Sequence, residues 1–120
     1  MKQKLHDGEF VVILLTDINV ERGYLEDSLA LGNYDCVYVD GQHSPLSEEK
    51  LAAFCAMTED LDIPAQMRLP HTYHTYLMGR YADFGLSSIM VPEVMEESTV
   101  DEAIEYFYFG TRGRRSWGNR

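Results

Sequence analysis

An α/β fold made of four βα units in series is predicted by three features of the 120-residue sequence. Short apolar runs alternate with longer stretches of helical periodicity, the spacing of a parallel sheet with right-handed crossovers. The first run is continuously apolar, as expected of a strand covered on both faces. Each run then ends in polar residues, the place where parallel α/β folds gather their chemistry.

The first run is Phe10 to Leu15, followed by a helix over about Glu21 to Leu31 that Gly32-Asn33 closes. The second, Cys36 to Val39, ends in Asp40-Gly41-Gln42-His43. Ser47 with Glu48 and Glu49 then supplies an N-cap and first-turn acids for a helix to about Glu59, with Leu51, Phe54 and Cys55 as its buried stripe. The third run, Pro64 to Leu69, precedes a helix with Tyr73, Leu77, Tyr81 and Phe84 on one face, stopped by Asp83-Phe84-Gly85. The fourth, Ser87 to Val91, is halted by Pro92 and leads to a helix carrying Val100, Ala103, Ile104 and Phe107.

Composition narrows the function classes. At 45% hydrophobic and 25% charged residues the chain is globular and forms one domain over 1–120, yet it is too short for a complete eight-fold βα barrel, which needs about 200 residues or more. No apolar run exceeds seven residues, against about 20 for a membrane span, and acids interrupt the N-terminus before a signal sequence develops, so a cytoplasmic protein without membrane contact is expected. Cys36 and Cys55 lie within apolar segments and read as reduced, buried thiols. The first 111 residues hold 6 basic against 20 acidic side chains, a sum of −14, while Arg112, Arg114, Arg115 and Arg120 give the last nine +4. An acidic body repels nucleic acid, and none is expected as a partner.

The residues following each run are the candidate site. They are Thr16 and Asp17, then Asp40, Gln42 and His43, then Arg68, and finally Glu93. An acid, a histidine and an arginine on one rim suit an anionic substrate bearing a carbonyl group. Arg68 paired with Asp40 as a plain salt bridge is the structural alternative. Asp83 is unusual, since an acid at a helix C-terminus opposes the macrodipole. His71 and His74 have i, i+3 spacing but no carboxylate or cysteine of matching spacing to complete a metal site. Of the lysines, Lys2, Lys4 and Lys50, none ends a strand, which argues against Schiff-base catalysis.

Five stretches carry a resemblance to a known family: Tyr34 to Pro45 (YDCVYVDGQHSP), Met67-Arg-Leu-Pro70, Asp83-Phe-Gly85, Ile89-Met-Val-Pro-Glu-Val94 and Gly113-Arg-Arg-Ser-Trp-Gly118. In this order and spacing the chain resembles the HpcH/HpaI aldolases, metal-dependent class II enzymes of the phosphoenolpyruvate/pyruvate barrel superfamily. The resemblance implies the N-terminal half of a TIM (β/α)8 barrel and reversible aldol cleavage of a 4-hydroxy-2-keto acid to pyruvate, or a related 2-keto acid, and an aldehyde. It makes His43 the catalytic base, Asp83 its orienting partner and Arg68 the group that contacts the 2-keto acid and steadies the enolate. Arg115 and Gln42 are implied as substrate-binding residues.

Two departures from the family pattern stand out. Gln42 replaces the glutamate of the usual Asp-Gly-Glu-His, removing a negative charge beside the site. The family also implies a divalent metal, Mg, Mn or Co, acting as Lewis acid for the enolate. Its usual ligands, a Glu and an Asp on the fifth and sixth strands, have no counterparts within these 120 residues, so no metal ligand is assigned. A half-barrel has two open edges and an uncovered inner face, from which association with another copy or with a C-terminal half-barrel is expected. A non-catalytic interaction domain is the competing reading.

Overall fold

A computed structural model describes residues 1–118; Arg120, the last arginine of the basic tail, lies outside them. Four parallel strands, β1 (Ile13–Leu15), β2 (Cys36–Asp40), β3 (Ala65–Arg68) and β4 (Ser88–Met90), form one sheet in the order β1-β2-β3-β4. Helices return the chain after each strand: α2 (Arg22–Leu29), α3 (Glu48–Asp60), α4 (Met78–Asp83) and α5 (Glu97–Phe107). A short helix, α1 (Lys2–His6), precedes the sheet and is tied to it by the Lys4–Asp35 ion pair at 2.6 Å. This is the four-unit α/β architecture that the sequence predicts.

The strands have two unlike faces, because successive side chains alternate. Val37, Val39, Ala65 and Met67 are buried against Leu25, Leu51, Phe54, Cys55, Met78 and Tyr81 of the helical layer. On the other face the register sets Leu15 beside Tyr38, Tyr38 beside Gln66 and Gln66 beside Ser88, with Asp40, Arg68 and Met90 in the row above. This inner face is only partly covered: Ile13 is 41% exposed, Leu15 69% and Met90 42%. Cys36 and Cys55 are buried and in no disulfide, as expected.

Three expectations need correction. The first run is not covered on both faces; its strand is confined to Ile13–Leu15, and Phe10 is almost fully exposed, because β1 is an edge strand whose inner side meets no second layer. The stretch after β3 is not one α-helix but a 3₁₀ segment, Thr72–Leu77, running into α4, so the predicted face holds except at its start: Tyr73 is exposed, while Tyr81 is buried, Leu77 and Phe84 pack partly buried against the core, and Thr75 and Met78 join them. On α5 the Val100, Ala103, Ile104 and Phe107 stripe forms on a regular helix, but Val100 and Ile104 stay exposed and no residue of the helix is buried.

Candidate active site

The C-terminal ends of the strands hold the site. β2 delivers Asp40, and the chain then turns through Gly41, whose backbone N–H donates to the Arg68 carbonyl at 3.0 Å. A Cβ on Gly41 would come within 2.6 Å of that same oxygen, so only glycine lets the loop cross the end of β3 this closely. The next residues are fastened to the Asp40 carboxylate: the Gln42 N–H donates to Oδ1 at 2.9 Å and the His43 N–H to the same atom at 3.4 Å. These bonds hold the peptide carrying His43 over the end of β2, with the His43 side chain open to solvent.

Arg68, the register partner of Asp40, completes the group. Its Nε donates to Asp40 Oδ1 at 2.9 Å and its Nη2 to Oδ2, a bidentate pair of two partly buried side chains. Chiefly through these bonds, and then through the loop N–H groups, the Asp40 carboxyl is held down to about 2, so it is ionised throughout the neutral range. Tyr38, one layer lower on the inner face, is shifted upward by burial and by the Asp40 charge and stays a neutral phenol. Glu93 closes the rim in a left-handed conformation (φ 50°) and accepts from Gln42 Nε2 at 3.1 Å.

The sequence-derived residues therefore fall into two groups. His43, Gln42, Arg68, Asp40 and Glu93 share the rim. Asp83 and Arg115 do not. Asp83 ends α4 just before Ser87, whose N–H bonds to Ala65 at the start of β3, so it lies at the opposite end of the sheet from the His43 loop. Its Oδ1 accepts from Arg115 Nη2 at 2.5 Å. The tail residue Arg115 is thus also far from the rim, stacked over Phe109 at 4.3 Å. Sequence reasoning noted Thr16 and Asp17 but not the cavity they line: about 730 Å³ between the ends of β1 and β2, bounded also by Asn19, Glu21, Tyr24 and Ser44. Tyr24 carries no motif that would have placed it there.

The residues present do not fit a divalent metal. Both Asp40 oxygens are engaged by Arg68 and the loop, Glu93 faces Gln42, and no group of three His, Cys, Asp or Glu side chains converges among the described residues. No described helix is long and apolar enough to cross a membrane.

No protein-family description matches the chain, and none of the curated proteins does. Solved structures do. The HpcH/HpaI aldolase from Desulfitobacterium hafniense DCB-2 matches with a TM-score of 0.80 over 99% of this chain and 45% of its own, at 21% identity. The citrate synthase SbnG matches with a TM-score of 0.81 over 98% of this chain and 46% of its own, at 25% identity, and a variant of it with 0.76. The chain spans under half the length of these proteins. In fold the chain is similar to rather less than half of these proteins, which agrees with an N-terminal half.

Proposed function

We propose that the chain carries half of a carbon–carbon lyase site that cleaves a 4-hydroxy-2-keto acid to pyruvate, or a related 2-keto acid, and an aldehyde. The observation that carries this reading is the coupled group at the strand ends: an arginine fixed by a partly buried carboxylate, beside a histidine whose backbone is held over the rim by that same carboxylate. The likeness to an aldolase and to a citrate synthase supports it at the level of the fold.

In the proposed step His43 accepts the proton of the 4-hydroxyl group. The C3–C4 bond breaks, C4 leaves as the aldehyde carbonyl, and the bonding pair moves onto C3–C2–O as an enolate. Asp40 occupies Nε and Nη2 of Arg68, which leaves Nη1 to donate to the enolate or carboxylate oxygen. A proton delivered to C3 completes the 2-keto acid. Gln42, neutral and bonded to Glu93, faces the substrate without adding a charge. Asp83 lies too far along the sheet to orient His43 within one chain, so in this reading that role requires a second copy to bring it. The family's metal is left out of the step because no residue set described here holds one.

The test is a pyruvate-release assay on 4-hydroxy-2-keto acids with the chain alone and with the remaining half of the barrel added, in the presence of Mg, Mn or Co. Activity that appears with the added half and drops about 10²- to 10⁴-fold in His43→Ala is expected. An active assembly indifferent to His43→Ala would overturn the assignment, and inactivity of both preparations would favour the interaction-domain reading.

A further inference from the structure

The basic tail, which the candidate active site leaves unused, is folded into a defined structure at the other end of the molecule. After α5 the chain makes a 3₁₀ turn, Gly110–Arg112, and comes back on itself at Gly113. A Cβ there would collide with the Tyr108 and Glu105 carbonyls, so the return requires glycine. The Arg114 N–H donates to the Glu105 carbonyl at 2.6 Å and the Arg115 N–H to that of Tyr108 at 3.2 Å. Arg115 then lies over Phe109, whose other neighbour is Trp117, stacked at 4.3 Å and 15°. Gly79 of α4 makes the room: a Cβ would meet the Tyr106 carbonyl at 2.8 Å and Arg115 Cγ at 3.0 Å.

This arrangement lines a cavity of about 410 Å³ between α4 and the returning tail with three arginines, Arg80, Arg114 and Arg115, and one acid, Asp83, together with Tyr76, Tyr106 and Ser116. Each guanidinium is anchored by one carboxylate: Arg80 by Glu48 (2.8 Å from Nε), Arg114 by Glu105 (2.5 Å) and Arg115 by Asp83 (2.5 Å). A guanidinium has five N–H donors, so these anchors position the arginines without exhausting them. Arg115 Nε is buried and makes no hydrogen bond among the described residues, a donor that an arriving acceptor would satisfy.

We propose that this cavity, at the opposite end of the sheet from the His43 rim of the same chain, is an anion-binding site that takes the phosphate or carboxylate group of a small molecule. Guanidinium groups contributed from α4, by Arg80, and from the tail, by Arg114 and Arg115, line one cavity and match a multi-oxygen anion, and Tyr76, Phe84 and Tyr106 leave space for an organic body beside it. Two of the arginines of the basic tail, Arg114 and Arg115, line this cavity. The inference does not depend on the lyase reading.

Trp117 is the only tryptophan in the chain and belongs to the stack on Arg115, so its fluorescence reports occupancy. The experiment titrates the full chain with inorganic phosphate, with succinate, and with potassium chloride at matched ionic strength, and follows the thermal midpoint in parallel. Saturable change with phosphate or with succinate, and not with chloride, is expected, and the effective ion identifies the group. Arg80→Gln, Arg114→Gln and Arg115→Lys should each weaken the response at least tenfold while the circular dichroism is unchanged, and Arg68→Ala should bind as the wild type does. Responses equal to those in chloride, or a response abolished by Arg68→Ala and untouched by Arg80→Gln, would overturn the proposal.

Discussion

Asp40 joins the stability of the fold to the geometry of the rim in one side chain. Its folded-state value of about 2 lies below the 3.8 of a free aspartate, so the unfolded chain takes up the proton first and acid favours unfolding. The contribution is full above about pH 4 and disappears as the pH falls towards 2; for a partly exposed pair it is on the order of 1–2 kcal/mol. Urea unfolding should therefore show Asp40→Asn less stable than the wild type by about that amount at pH 6, with the gap closing near pH 2. A gap that does not vary with pH would mean that the carboxylate adds no charge-dependent stability. Arg68→Lys tests the same pair from its other side. Lysine keeps the charge but not the two-pronged geometry, so the Asp40 value should rise and the His43 loop should lose order.

The Gly41 turn and the end of α3 each show how a single backbone position governs an element. Gly41→Ala brings a methyl group against the Arg68 carbonyl and should cost about 1–3 kcal/mol in thermal or urea unfolding, with the shift of loop 41–43 visible in backbone NMR shifts. Asp62, just past α3, adopts φ 53° so that its N–H and that of Ile63 close the helix on the Glu59 and Thr58 carbonyls. This is a glycine position, and Asp62→Gly should stabilise the protein by about 0.5–1 kcal/mol; a loss instead would show that the Asp62 side chain contributes to the cap. Legibility followed the same physics. β2, α3 and β3 were readable because they lie at the centre of the sheet, where burial pattern and sequence pattern coincide: Leu51, Phe54 and Cys55 are the buried stripe of α3 that their spacing predicts. At the edges, apolar residues of β1 and α5 marked surfaces that the described chain does not cover, and Phe10 to Leu15 read as more buried than they are. His43, Gln42 and Arg68 were legible because they directly follow strands. The positions of Asp83 and Arg115 were not, because motif order says nothing about which end of a helix a residue closes.

At the scale of the whole molecule, the two outermost strands and the last helix each leave apolar side chains uncovered. Ile13 and Leu15 on β1 and Met90 on β4 flank a polar centre of Tyr38, Gln66 and Ser88, and α5 turns Val100 and Ile104 to solvent at 45% exposure each. Edge strands that end a parallel sheet offer unpaired backbone groups beside this apolar rim, the combination that draws in a further strand. A barrel closed by another copy or by a complementary half pairs both edges and covers both patches together. Light scattering after size exclusion should therefore give a mass above that of one chain, or a one-to-one complex once the remaining half of the barrel is supplied. Leu15→Lys should prevent this association without changing the circular dichroism, because a lysine at a position 69% exposed costs the isolated fold little, whereas its ammonium group, buried in a closed interior without a partner, costs several kcal/mol. If Leu15→Lys associates as the wild type does, the inner face is not the surface that closes, and the apolar stripe of α5 becomes the one to test by Ile104→Lys.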